Sequence, residues 1–274
     1  MKKRFLLLIT ALLYATSLFG QVTISPMSLF LDSKQRFQTV IIMNTTDQAQ
    51  EVSLKWQFGY PVTDETGNIT MVYDDSKMEE RYSAAEWIRG FPKRFVLQPG
   101  ARQTIRVTVR APRNLDDGTY WTRLVTSSNE LSETVGEEVT EGIRTQINFQ
   151  FNQITSVFYK HGEVSTGIEL KEVRTSIEDN TLSLFADLMK SGNSPFLGSM
   201  EAKILNSKGE VVKEQFMFVS VYFDGLRRMK IDIEDLPSGS YTAEIQYVSK
   251  RKDIPDTDVI SAPTVSAKTS FSKE

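Results

Sequence analysis

Phe91-Pro92-Lys93-Arg94-Phe95-Val96-Leu97-Gln98-Pro99-Gly100-Ala101-Arg102-Gln103-Thr104-Ile105-Arg106-Val107-Thr108-Val109-Arg110 leads on to Asp116-Asp117-Gly118-Thr119-Tyr120-Trp121-Thr122-Arg123-Leu124-Val125, a turn, an alternating run and a Gly-x-Tyr motif in close succession. Leu97 to Gly100 is a turn: Pro99 presets φ at the first central position and Gly100 supplies a positive φ at the second. From Thr104 to Arg110 the residues alternate, with Ile105, Val107 and Val109 on one face and Thr or Arg on the other. That pattern predicts a strand half-buried against a core.

Asp116-x-Gly118-x-Tyr120 resembles the tyrosine corner of immunoglobulin-like sandwiches, in which a Tyr hydroxyl bonds back to the backbone at a strand start. Thr122 stands where antibody domains carry their second Cys, so that inter-sheet disulfide has no counterpart here. The same spacing recurs: Leu236-x-x-Gly239-x-Tyr241 copies Leu115-x-x-Gly118-x-Tyr120 at an interval of 121 residues. Recurrence at a domain-sized interval, among alternating strands, predicts an all-β chain of two tandem immunoglobulin-like sandwiches.

Composition agrees. The 274 residues suit two sandwiches of about 100 residues each, and a hydrophobic content of 40% builds a core without staples. Absence of cysteine excludes disulfides, Cys-based metal sites and a thiol nucleophile. A single histidine, His161, leaves no material for a His-based metal cluster or a Ser-His-Asp triad, so neither a metal nor a cofactor is expected. The chain does not read as an enzyme. Acidic pairs such as Asp74-Asp75 and Asp116-Asp117 are turn chemistry first and calcium ligands only remotely.

Residues 1–20 read as an export signal, with basic Lys2-Lys3-Arg4 ahead of an apolar run from Phe5 to Ala15 too short to span a bilayer comfortably. Cleavage after Gly20 takes the formal charge from −3 to −6, which argues against nucleic acid as a partner. Nothing later is apolar for long enough to span a membrane.

Along the rest of the chain, Val22 to Leu31 with Pro26 inside it suits an edge strand, and Phe37 to Met43 reads as a strand closed by the Asx-type cluster Asn44 to Asp47. Val52, Leu54, Trp56 and Phe58 alternate, with Trp56 expected between the sheets. Thr66-Gly67-Asn68 is a loop tip, and Ser83-Ala-Ala-Glu86 predicts a capped helical turn. Residues 127–142, with five Glu, read as a solvated loop, against the alternative of a specific binding role. In Arg144 to Tyr159, Ile147, Phe149 and Phe151 share a face, and Ile154 breaks their phase, which predicts a bulge or a change of sheet. The second half alternates at Leu182 to Leu188 and Met200 to Ile204, and further strands are expected at Phe216 to Phe223, Met229 to Ile233 and Tyr241 to Tyr247. A last strand is expected within Val259 to Ala267, followed by a frayed end. The expected divisions are thus a signal at 1–20, sandwiches at 21–160 and 161–250, and a final strand and flexible tail at 251–274.

Leu97-x-Pro99-Gly100 with Ile105-Arg106-Val107 and Gly118-x-Tyr120, flanked by Asn44, Trp56 and Val157-Phe158-Tyr159-Lys160, resembles the N-terminal domain of PapD-like periplasmic chaperones, which assemble fimbrial subunits. The resemblance covers most of residues 22–160, and the second half only in architecture. It implies an L- or boomerang-like pair of sandwiches in the periplasm, free of a membrane span once the signal is removed. Its partners would be a pilus-type subunit with an incomplete fold and an outer-membrane usher or assembly platform. It also implies that Ile147, Phe149 and Phe151 insert into the groove of a subunit lacking its own last strand. Such chaperones hold the subunit's C-terminal carboxylate with an Arg and a Lys in the inter-domain cleft; the matching positions here are Ser28 and Ser156. Candidate replacements are Lys34, Arg36, Arg123 and Lys160. The alternative is a structural or adhesive tandem sandwich of the cell envelope, in which Ile147, Phe149 and Phe151 are core. For the export signal, N-terminal sequencing of the envelope-fraction protein should begin near Gln21; an intact Met1 in a soluble cytoplasmic pool would refute it.

Overall fold

A computed structural model describes residues 22–131 and 149–274. The export signal, Ile147 and most of the acidic stretch lie outside them.

The first sandwich packs two sheets face to face. One runs in the order β1 (Val22–Ser25), β3 (Phe37–Asn44), β9 (Arg102–Val109), β7 (Ile88–Phe91). The other runs β2 (Ser28–Asp32), β11 (Gln150–His161), β10 (Gly118–Glu130), β4 (Gln50–Gln57), β8 (Arg94–Leu97). Ile105 and Val107, the inward side of the alternation in β9, are fully buried with Val40 and Ile42 against Val52, Leu124 and Val157 of the opposite sheet. The turn before β9 has the expected form: Gly100 takes φ +71°, and the Ala101 amide donates to the Gln98 carbonyl at 2.9 Å. The first N-terminal strand divides, with β1 on the edge of one sheet and β2 on the edge of the other.

The second sandwich sets β12 (Thr166–Glu178), β13 (Thr181–Gly192) and β16 (Gly225–Asp232) against β15 (Val211–Val221), β14 (Phe196–Leu205), β17 (Gly239–Val248) and β18 (Val265–Lys273). Leu182, Leu184, Ala186 and Leu188 on one side meet Met200, Ala202 and Ile204 on the other, all essentially inaccessible. Both tyrosine corners form. Tyr120 donates its hydroxyl to the Asp116 carbonyl at 3.1 Å, and Tyr241 to the Pro237 carbonyl at 2.6 Å.

Several local expectations change. The helix is α1 (Ser76–Tyr82), one turn earlier than Ser83 suggested, because the Asp75 carboxylate caps it by accepting from the Met78 amide at 3.1 Å. Ser83 ends that helix, and Ala84 to Trp87 form only a turn. No bulge or change of sheet occurs at Ile154: β11 pairs with β10 in unbroken register from Gln150 to His161. Ile154 simply belongs to the opposite face of a straight strand, with Ser156 and Phe158. Trp56 packs on the first core but stays half-buried. The last strand lies later than expected, and Lys273 does not fray; its ammonium donates to the carbonyls of Ile233, Glu234 and Leu236. The long strand β12 escaped sequence reading because its charged, mostly exposed residues carry little alternation.

Between β11 and β12 the chain turns at Gly162, with φ +58°. A β-carbon there would sit 1.7 Å from the Asp117 carboxylate, so the junction is both left-handed and close-packed. The corners are the simplest test of the two-sandwich architecture. Tyr241→Phe, which removes one part-buried hydrogen bond, should lower unfolding free energy by about 0.5–1.5 kcal/mol in chemical denaturation. An unchanged midpoint would mean that the corner contributes nothing.

Candidate functional site

The strand β11 has two different sides. Along its whole length it pairs antiparallel with β10. On the other side β2 accompanies it, in parallel, only from Ser156↔Ser28 to Lys160↔Asp32. Where β2 begins, the Ser156 amide donates to the Met27 carbonyl at 3.0 Å, and the chain then leads back to β1 in the other sheet. Among the described residues no strand therefore pairs with that side of Gln150 to Thr155. The Gln153 side-chain amide donates to the Val22 carbonyl of β1 at 2.5 Å.

The phenylalanines stand on this stretch. Phe149 is 67% exposed and Phe151 is half-buried, and neither belongs to the core of the first sandwich among the described residues. Their face explains why. Phe151 lies across from Ser128, and the positions deeper along it are Thr126, Gln153 and Thr155, small or polar side chains rather than a pocket for a ring. The hydroxyls of Thr126, Ser128 and Thr155 are buried with no partner among the described residues. Ile147 falls outside the described residues.

At its other end β11 enters the seam between the sandwiches. Phe30, Phe58, Trp121 and Phe158 of the first sandwich cluster with Leu197, Tyr222 and Ile254 of the second. Trp121 stacks on Phe58 and Tyr82 at ring separations of 5.7 and 4.9 Å, and meets Tyr222 edge-on at 4.9 Å. The hairpin β5 (Tyr60–Thr63) and β6 (Ile69–Val72) reaches across as well, and Arg227 of the second sandwich donates to the Thr63 hydroxyl at 3.0 Å. Thr119 and Ser194 share a hydroxyl contact of 2.6 Å.

Inside that seam lies Arg123, only 7% exposed. Its Nε donates to the Gly59 carbonyl at 3.2 Å, one terminal nitrogen to the Ser156 hydroxyl, and the other to the Tyr222 hydroxyl at 3.0 Å. Among the described residues no carboxylate pairs with it. The two serines and one of the four candidate cations thus meet at one point: Ser28 beside Ser156, and Arg123 on Ser156. Lys160 stands apart, its ammonium 5.2 Å from the Phe30 ring and donating to the Asp258 carbonyl at 2.6 Å. Burial lowers its pKa, against the opposing pull of Asp258 and Asp32. Lys34 and Arg36 lie on the exposed loop after β2, where the Arg36 Nε donates to the Ser33 carbonyl.

Sequence reading missed the seam. Trp121 and Arg123 occupy the opposite face of β10 from Thr122 and Leu124, which point into the first core. A run of Trp121-x-Arg123 on the outward face was the available signal, together with the adjacent aromatics Tyr222-Phe223.

No family model matches the chain, and no curated protein matches it. Among solved structures it is similar to the CsuC–CsuE chaperone–tip adhesion subunit pre-assembly complex from archaic chaperone-usher Csu pili of Acinetobacter baumannii, at 12% identity, over 90% of this chain and 97% of that one, with a TM-score of 0.43. It is similar to the E. coli chaperone DraB at 11% identity, over 93% and 98% of the two chains, with a TM-score of 0.38. The Salmonella enterica SafA pilin in complex with the SafB chaperone gives 12% identity, 92% and 98% coverage and a TM-score of 0.41.

The seam should be sensitive to alkali. Tyr60 donates to the Asp75 carboxylate at 2.7 Å, and burial first, then that bond and its charge, push the Tyr60 pKa up to about 12. An unfolded tyrosine ionises near pH 10, so the folded chain holds this proton more tightly than the unfolded one. The resulting stability is present below about pH 10 and is lost as pH rises towards about 12. Urea midpoints measured across that interval should fall less steeply for Tyr60→Phe than for wild type; parallel falls would remove Tyr60 from the account.

Proposed function

We propose that the chain is a periplasmic chaperone of the PapD-like kind, which protects a fimbrial or pilus-type subunit by lending it the open end of β11. One observation carries the reading: among the described residues no strand pairs with the outer side of Gln150 to Thr155, and Phe149, 67% exposed, belongs to no core there. An exposed, apolar, extended edge is what a protein normally hides, since it templates pairing with another chain. Here it supplies main-chain donors and acceptors along one side and large apolar side chains at alternate positions. Strand addition uses those two components, the first for affinity and the second for specificity.

The seam supplies the complementary requirement, a fixed end point for the incoming strand. Arg123 is a buried cation whose described partners are all neutral, a costly state unless a negative group completes it. Three of its five N–H donors are used, which leaves one on each terminal nitrogen. We assign to these the C-terminal carboxylate of the subunit, entering beside Ser28 and Ser156. Arg123 then does from β10 what the resemblance assigns to the positions of those serines. The usher or assembly platform would receive the resulting complex.

The test is capture from the native envelope beside a melting curve. Wild-type chain should recover a protein whose C-terminal domain is an immunoglobulin-like fold short of its last strand. Phe149→Ser/Phe151→Ser should melt like wild type and recover none. Loss of the melting transition in that variant would instead place the rings in the core, where each truncation costs about 2–5 kcal/mol. A wild-type chain that recovers no such partner would overturn the reading. For the anchor, a peptide copying the captured subunit's C-terminus should bind far more weakly when its carboxylate is amidated; equal binding would acquit Arg123.

A further inference from the structure

A second strand edge, in the other sandwich, is open in a different way. β15 is outermost in its sheet, and among the described residues no strand pairs with its outer side. Its outward face carries Phe216 and Phe218, which remain 51% and 37% exposed. A short basic run stands over them. The Arg251 guanidinium lies 5.0 Å from the Phe218 ring and the Lys252 ammonium 5.2 Å from the Phe216 ring, while Lys250 lines the same groove. The groove holds about 540 Å³.

Its charges sum to one positive: Lys203, Lys250, Arg251 and Lys252 stand against the carboxylates of Glu201, Glu214 and Asp253. Glu214 pairs with Lys203 at 3.4 Å, Glu201 accepts from the Gln246 amide at 2.5 Å, and Asp253 is bound by Arg251 at 2.5 Å. Lys250 and Lys252 are left with no carboxylate among the described residues, in a chain whose net charge is −3. Two aromatic rings and two cations without a carboxylate therefore line one groove on the sheet face, beside the free edge of β15.

We propose that β15 and this groove receive an extended acidic segment of a partner protein. It adds as a further strand whose side chains on the Phe216–Phe218 face, at every second position, are in turn apolar, against the rings, and acidic, towards Lys250 and Lys252. The chemistry selects this occupant. A second copy of the chain, paired edge to edge through β15, would bring two net-positive grooves together. An anionic lipid surface would satisfy the cations but offers no row of main-chain groups to a strand edge. A neutral apolar strand would desolvate the two lysines for no return.

The probe is a labelled peptide of about ten residues in which every second position is in turn valine and glutamate, with serine between them, titrated against the full mature chain by fluorescence anisotropy. A control peptide carries lysine in place of glutamate. Wild type should bind the acidic peptide, more weakly as salt rises, and bind the basic one at least tenfold less tightly. Lys250→Glu/Lys252→Glu, at exposed positions, should weaken the acidic peptide by tenfold or more, and Phe216→Ser/Phe218→Ser should do likewise. Phe149→Ser/Phe151→Ser should bind it as wild type does, which separates this groove from the β11 edge. Absence of binding by wild type, equal binding of the two peptides, or loss of binding in the Phe149→Ser/Phe151→Ser chain would each overturn the proposal. So would a dimer in sedimentation that disappears with Phe216→Ser, which would give the edge to a second copy.

Discussion

The five parallel pairs between β2 and β11 set the terms for the rest of the molecule. A strand in the middle of a sheet has both edges satisfied; among the described residues β11 is satisfied on both sides only from Ser156 to Lys160. Had β2 begun six residues earlier along the same line, the edge at Gln150 to Thr155 would be closed. Instead the N-terminal segment spends its first four described residues, Val22 to Ser25, on the opposite sheet, where Val22 and Ile24 are buried. Burial of those side chains and exposure of the β11 edge are the same event seen from two sheets.

The seam is held by a different kind of interaction. Aromatic rings in offset and edge-on contact give large buried area with defined geometry, and one arginine threads through them. Arg123 joins three separate pieces of chain: Gly59 just after β4, Ser156 on β11 and Tyr222 just after β15. A lysine has no fork with which to do this. Such a network ties the orientation of the two sandwiches to the position of Ser156, which is where the open edge ends. A group bound at Arg123 is therefore felt by both domains and by β11 together.

The fold was legible because its signals are local. The Pro99-Gly100 turn, the alternation from Thr104 to Val109 and the two Gly-x-Tyr corners each state a backbone requirement within a few residues. Phe149 and Phe151 were legible as an alternating pair, but not their surroundings. That Phe151 faces Ser128, rather than a leucine, depends on register with a strand more than twenty residues away. The apparent slip at Ile154 arose because hydrophobicity was equated with one inward face, whereas β11 has two faces that both bury residues, Val157 towards the first core and Phe158 towards the seam. Arg123 and Tyr222 lie 99 residues apart and no pattern within either neighbourhood joins them. Pairing across domains leaves no periodicity to read.

If the subunit's carboxylate ends at Arg123, the direction of the added strand is fixed. β2 starts at Ser156↔Ser28 and runs parallel to β11 away from the open edge. A chain that terminates at Ser156 and covers Thr155 back to Gln150 must itself run from Gln150 towards Ser156, parallel to β11 and in line with β2. At about 3.3 Å per residue, the six open positions span roughly 20 Å, so a last segment of about six residues fills them. Register follows from the same anchor, because a shift by one residue would move every side chain of the added strand to the other face. The terminal carboxylate would set the register and Phe149, at the far end, would report whether it is correct. On that reading the buried cation would be the fixed zero of a ruler whose other end, at the exposed Phe149, stays open to an incoming chain.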